Sequence, residues 1–372
     1  MKAELSQDFL SNIISVNRYV SAINGINLDS KKIIFSFKKV GASYLYYISN
    51  GIFAKAELAE AVVDSDENYE VDYDKFLHLV NNTSGGVAIE VVDSTMKVTT
   101  DVAVVDLLCT SISETDAIMD LVSSNDESLY SDVVQLNEST IAGMAMTNSL
   151  ISQSKNNAGA LFEDKVMYSD RSQIYHKELS EESNSGLLPD DGLVLHKNIF
   201  VILTNLFKFN KLNLASVSLA KKPKKVDSFV IKDDKVTIFI SNSQAEVSLP
   251  TDADLENIRP LFHSFSLSKE VLDELINFFS GFFIGNSWKP LTFVNNNEEL
   301  EIQYSVPSVT NISRKVGSLN PGSSWTKFVI DSDSLKNFVS KLANEFEFYV
   351  EEDKLGVLIK NGNDNIIFAK LV

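Results

Sequence analysis

A short unit recurs about six times along this chain: a polar-capped amphipathic helix, then strands with alternating apolar residues. One such unit cannot bury both of its faces, so repetition demands stacking into a modular arc or ring. The last copy is the clearest. Residues 332–342 read as a helix, and 346–350, 355–359 and 365–368 as strands. The first copy has a helix over 6–14, with Phe9, Ile13 and Val16 on one side, and strands over 32–37 and 44–48. The second has a helix over 72–80, a Gly85-Gly86 break, and strands over 87–92 and 96–99. The third runs a helix from Asn137 through Ile141, Met144, Met146 and Leu150, then strands over 159–162 and 166–169.

The fourth copy places a helix over 198–209 and a strand over 214–219. A hairpin over 228–232 and 235–240 follows, turning at Asp233-Asp234, with a returning strand over 242–249. The fifth starts its helix at Ser268, a residue type that caps N-termini, and continues with strands over 291–294 and 299–304. Residues 317–324 form a Gly/Pro/Ser turn region. The acidic, Ser-rich stretch 112–132 and the segment 250–260 read as junctions. Two units per domain give three similar α+β domains, 1–125, 126–254 and 255–372, each with helices on one face of a curved antiparallel sheet.

Charge limits what such an assembly can bind. The chain of 372 residues carries a formal net charge of -18, which opposes indiscriminate coating of nucleic acid. The charge is uneven: residues 1–130 hold 9 basic and 20 acidic side chains, whereas 131–250 hold 13 and 14. Lys221, Lys222, Lys224 and Lys225 account for much of that difference. One cysteine, Cys109, excludes an internal disulfide, and four dispersed histidines lack metal-ligand spacing. With no signal-like N-terminus and no run of 18 apolar residues, a cytoplasmic protein without a membrane span is expected.

Enzymatic motifs are missing. There is no Gly-rich phosphate cradle, no His-Glu-x-x-His and no Gly-x-Ser-x-Gly. Asp190-Asp191 and Asp233-Asp234 could attract a metal ion but fit turn chemistry better, and Asp72 and Asp74 suit a helix start. No cofactor or metal is expected.

The order of these elements resembles the DNA polymerase sliding clamps, processivity factors whose bacterial members have three domains per subunit. The opening Met1-Lys2 strand, the helix after Ser6 and the six units over the full length carry the resemblance. So does Val166-Met167-Tyr168-Ser169-Asp170-Arg171-Ser172-Gln173-Ile174, which is similar to the strand and turn where those clamps have a Thr/Ser-Asp-Gly-His-Arg-Leu-like run. Here Ser-Asp is kept while the Gly, His and Arg do not match. Val247-Ser248-Leu249-Pro250 resembles a Leu-Pro between the second and third clamp domains, and Phe368-Ala369-Lys370-Leu371-Val372 resembles their C-terminal segment. Abundant Asn and Ser and the drifted motifs fit a divergent, bacteriophage-like member.

The resemblance implies a ring that encircles duplex DNA without reading sequence, tethers a polymerase, and closes from subunits joined head to tail, as a homodimer. It implies that basic residues on or beside the helices face DNA phosphates: Arg18, Lys75, Lys155, Lys208, Lys211, Lys269, Lys336 and Lys341, with the loop lysines Lys221, Lys222, Lys224 and Lys225. The plainer reading of each is a solvated surface lysine. It also implies an apolar groove for short peptides of the polymerase and clamp loader, bordered by Ser169, Ile174, Val247, Leu249, Pro250, Phe368, Leu371 and Val372. The plainer reading there is ordinary strand core. The other functions open at this stage are a virion or scaffold structural protein of repeated α/β domains, and a metal-dependent enzyme.

Overall fold

The computed structural model describes residues 1–5, 32–49, 52–58, 61–81, 85–113, 132–151, 158–170, 172–179, 192–210, 215–219, 228–232, 236–241, 249–282, 289–306 and 310–370. They form two compact units, one drawn from residues 1–138 and 201–244, the other from 139–183, 188–200 and 245–372. Six helices occur among the described residues: α1 (Tyr73–Asn81), α2 (Glu138–Ile151), α3 (Lys197–Asn210), α4 (Asp252–Ile258), α5 (Lys269–Ser280) and α6 (Ser332–Ser340). Five of them stand where the repeat pattern places helices. The helix expected over 6–14 lies outside the described residues. None of the six is long and apolar enough to cross a membrane.

The first unit carries a 13-stranded antiparallel sheet. Its core follows from strands that are apolar on both sides. In Lys32–Phe37, Phe35 turns toward Phe76 of α1, with ring centroids 5.0 Å apart and edge-on. Its neighbour Ile34 joins Tyr46, Phe53, Ile112, Val230 and Phe239 in a separate buried cluster, as alternation requires. That cluster crosses a splice between distant segments, since Val236–Ser241 pairs with Ile52–Leu58 in the register Val236↔Ala56 to Ile240↔Ile52. Farther along, Val87–Val92 and Thr95–Thr99 alternate buried and exposed residues, as strands with one wet face do.

The second unit holds an eight-stranded and a four-stranded antiparallel sheet. In the larger one Gln173–Glu178 pairs with Asp364–Ala369, joining strands from the middle of the chain to strands from its last third. Helices α5 and α6 pack together and bury Leu272, Leu275, Ile276 and Phe279 from one, Leu335, Phe338 and Val339 from the other. Beneath them Phe265, Phe293, Trp325, Phe328 and Phe348 stack at centroid distances of 4.5 to 6.3 Å. Caps fix where the helices begin: Ser268 Oγ accepts the Val271 N–H, and Asp331 Oδ2 accepts the Ser334 N–H.

Two readings of the sequence change. The segment 250–260 is not a plain junction, because it contains α4. Thr251 and Asp254 form a reciprocal capping box that stabilises this short helix. Gly317 and Ser318, read as turn residues, end the strand Thr310–Ser318. Strands Ile52–Leu58, Val104–Ser111, Gln173–Glu178, Leu193–His196, His263–Ser268 and Lys327–Asp331 also went unread.

Candidate functional site

An apolar cluster lies on one face of the eight-stranded sheet. Met167, Ile174, Leu358 and Ile367 form its buried floor, and Phe162, Leu249, Leu255, Ile258 and Tyr349 are only partly buried around it. Register builds this floor: Ser169 pairs with Ile174, Ile174 with Ile367, and Ile367 with Leu358, so their side chains share one face. Helix α4 supplies Leu255 and Ile258. Gly356 permits that approach, since a Cβ there would sit 2.5 Å from Ile367 Cγ2 and 2.7 Å from the Ile258 carbonyl oxygen.

The turn at the cluster's border is organised by Asp170. Its Oδ1 accepts the N–H groups of Ser172 (2.7 Å) and Gln173 (2.9 Å) and the Ser172 hydroxyl, while Oδ2 accepts the Tyr168 hydroxyl. On the opposite, helix-facing side, Lys177 Nζ meets Asp364 Oδ2 at 2.5 Å, and the Tyr175 hydroxyl donates to Asp364 Oδ1 at 2.7 Å. Burial, reinforced by the Asp364 charge, pushes the Tyr175 hydroxyl pKa well above its ordinary value. These polar bonds fix the register that the apolar face depends on.

His176 sits beside that apolar face, in the strand position opposite Met167. It is only 9 % exposed, and its Nδ1 has no hydrogen-bond partner. Burial, with the positive charges of Arg259, Lys165 and Lys360, lowers its pKa from 6.5 to about 4, against an opposing pull from Asp164. The imidazole is therefore neutral at physiological pH.

The predicted groove residues divide. Ser169 and Ile174 lie on the cluster face, and Leu249 and Pro250, both half-buried, lead into α4. Phe368 must be corrected. It pairs with Gln173, one residue out of phase with Ile174, so it points to the helix side and Ile367 stands on the cluster face. Val247, Leu371 and Val372 lie outside the described residues. Met167, Leu358, Ile367, Leu255, Ile258 and Tyr349 were missed. The capping box at Thr251 was the one signal that could have pointed to α4.

Among the predicted DNA-facing residues, Lys75 on α1, Lys336 on α6 and Lys341 at the α6 C-cap are exposed. Lys208 belongs to α3. Lys269 is engaged: its ammonium bonds the Val339 carbonyl at 3.0 Å and pairs with Asp273 at 3.1 Å, so it ties α5 to α6 instead of standing ready for a ligand. Glu270 and Glu274 on the exposed side of α5 also run against a uniformly basic helical face. Arg18, Lys155, Lys211, Lys221, Lys222, Lys224 and Lys225 lie outside the described residues.

Among the described residues, each unit also exposes apolar side chains beside a strand edge that has no pairing partner there. In the first, Val104 and Leu108 are exposed, Leu108 by 79 %. Residues 104–108 pair on one side with Thr95–Thr99, while the pairing to Glu67–Asp72 begins only at Cys109. In the second, Phe278 and Phe282 are exposed in the α5 region, and Thr310–Ser318 is, among the described residues, one of the two end strands of the four-stranded sheet. Long open edges of this kind are templates for pairing with another chain.

No protein-family model and no curated protein sequence matches this chain. Solved structures do. Caulobacter crescentus pol III beta aligns over the whole of both chains with a TM-score of 0.78 at 11% identity. The Bacillus subtilis DNA polymerase sliding clamp aligns over 100% of this chain and 99% of its own, with a TM-score of 0.74 at 12% identity. The Helicobacter pylori beta clamp bound to a DNA ligase peptide aligns over the whole of both chains, with a TM-score of 0.70 at 14% identity. The fold of this chain is the bacterial beta-clamp fold.

Proposed function

We propose that this protein is a sliding clamp, a non-enzymatic ring that encircles duplex DNA and holds a replicative polymerase at its primer end. The reading rests above all on agreement of fold with bacterial clamps along the entire chain. The three domains are 1–125, 126–254 and 255–372. Two subunits join head to tail, with the edge at Val104–Leu108 of one meeting the edge at Thr310–Ser318 of the other. Phe278 and Phe282 then cover the exposed Leu108. A heterologous junction that closes on itself leaves neither of these two edges unpaired.

Peptide docking uses the cluster floored by Met167, Ile174, Leu358 and Ile367, and the Helicobacter pylori clamp, which has the same fold, binds a DNA ligase peptide. Tethering there raises the polymerase's local concentration without any covalent step. Lys75, Lys336 and Lys341 contact phosphates loosely enough to slide, and the strong negative charge keeps DNA off the remaining surface.

The test is topological. Protein loaded onto a nicked circular plasmid in extract of the cells that carry it should survive a high-salt wash. It should be lost once a restriction enzyme linearises the plasmid. Retention on the linear DNA would mean surface binding and would overturn the reading.

A further inference from the structure

We propose that the buried Lys177–Asp364 pair chooses strand partners. It makes the edge of Gln173–Glu178 accept Asp364–Ala369 and refuse Val236–Ser241, whether that strand comes from the same chain or from a second copy. The chain has two joints of one construction. In the first, Ile52–Leu58 pairs with Val236–Ser241; in the second, Gln173–Glu178 pairs with Asp364–Ala369. Each joint sets two residues of an apolar cluster directly opposite each other, Phe53 with Phe239 in the first and Ile174 with Ile367 in the second. Three residues along from those pairs the joints differ. Ala56 faces Val236 in the first, where Lys177 faces Asp364 in the second.

The apolar residues cannot make this choice. Ile238-Phe239-Ile240 and Ile366-Ile367-Phe368 are both runs of large apolar residues, alike on the two faces of a strand. Hydrophobic pattern specifies pairing weakly where both faces are alike, so either run suits either edge. Charge separates them. Crossed onto Ile52–Leu58 in the matching register, Asp364 would face Ala56, which is fully buried. Crossed onto Gln173–Glu178, Val236 would stand where Lys177 needs a carboxylate. Each crossing leaves a buried charge unpaired, which is strongly destabilising, whereas the matched joint leaves none.

The surroundings of the pair are shaped to hold it. The Lys177 and Asp364 side chains are 13 % and 9 % exposed and meet at 2.5 Å. The Tyr175 hydroxyl donates to the other Asp364 oxygen. Helix α2 brings Gly143 against the lysine stem, where a Cβ would lie 3.1 Å from Lys177 Cδ. In the first joint the lysine of the edge strand, Lys55, stands opposite Thr237 and lies 4.3 Å from the centre of the Tyr44 ring. The choice bears on the apolar cluster, because a crossed strand would set Phe239 in the place of Ile367 on its floor. Repeated units leave several edges open while a chain folds, so the discrimination acts at that stage.

The test refolds the full chain by dilution from urea, with its isoleucine methyl groups labelled for NMR, and reads the product by methyl spectra and gel filtration. Wild type should give one signal each for Ile174, Ile238, Ile366 and Ile367. Lys177→Met combined with Asp364→Leu should fold but misassemble, seen as a second set of signals at both joints or as chain-swapped oligomers. That misassembled fraction should be at least about 10-fold greater than in wild type. Lys177→Asp combined with Asp364→Lys keeps an ion pair and should refold as cleanly as wild type. A single wild-type set of signals from the apolar variant would overturn the proposal. Misassembly of the reversed pair to the same extent as the apolar one would also overturn it. So would an apolar variant that does not fold beside a reversed pair that does, since the pair would then serve stability alone.

Discussion

Acidification should destabilise this protein through His176 in a way that one substitution removes. The folded imidazole resists protonation until about pH 4, because burial and the charges of Arg259, Lys165 and Lys360 oppose a further cation. The unfolded chain accepts that proton near pH 6.5. A depressed folded pKa means that the stability is present above 6.5 and is lost as pH falls toward the folded value. With a shift from 6.5 to about 4 and ~1.36 kcal/mol per pH unit, about 3 kcal/mol is at stake, of which about 2 kcal/mol is gone by pH 5. The assay is urea unfolding of wild type and His176→Gln between pH 7.5 and 4.5, which subtracts the titration of the many carboxylates common to both. The stability difference should move by about 2–3 kcal/mol in favour of the variant as the pH falls. A difference constant with pH, or an NMR titration of His176 near 6.5, would refute the reasoning.

Lys177→Met leaves the Asp364 carboxylate buried without its cation and should cost about 3–5 kcal/mol in urea unfolding, whereas adding Asp364→Leu should recover most of the loss. Gly356→Ala should cost about 1–3 kcal/mol by forcing α4 off the sheet, and should weaken peptide binding in parallel. Leu108→Glu and Phe278→Glu should each give monomers by sedimentation. Mixed together they should regain a two-subunit species, since a head-to-tail pair keeps one sound junction. Failure of the mixture to associate would argue for a different interface.

Legibility of the sequence followed burial. Helices α5 and α6 were readable because a capping residue precedes an apolar stripe at helical spacing, as in Ser268 followed by Val271, Leu272, Leu275 and Ile276. Strand Gln173–Glu178 was not, because its polar residues are inside: Lys177 is matched by Asp364, and His176 is kept neutral. Neither match can be seen without the distant partner strand. The apolar cluster was half legible for the same reason. Ser169, Ile174, Leu249 and Pro250 stand in motifs with a local signature, whereas Leu358 and Ile367 reach the floor only through register. The one-residue error at Phe368 is what a period-2 pattern allows when no pairing partner is known.

The bond between Tyr175 and Asp364 spans 189 residues of chain. During synthesis the strand holding Ile174 must wait, with its apolar side uncovered, until Asp364–Ala369 has left the ribosome. At about 5–20 residues per second that delay is on the order of 10–40 s. A half-made chain therefore lacks the floor of its apolar cluster, and that surface exists only on chains that have completed their fold.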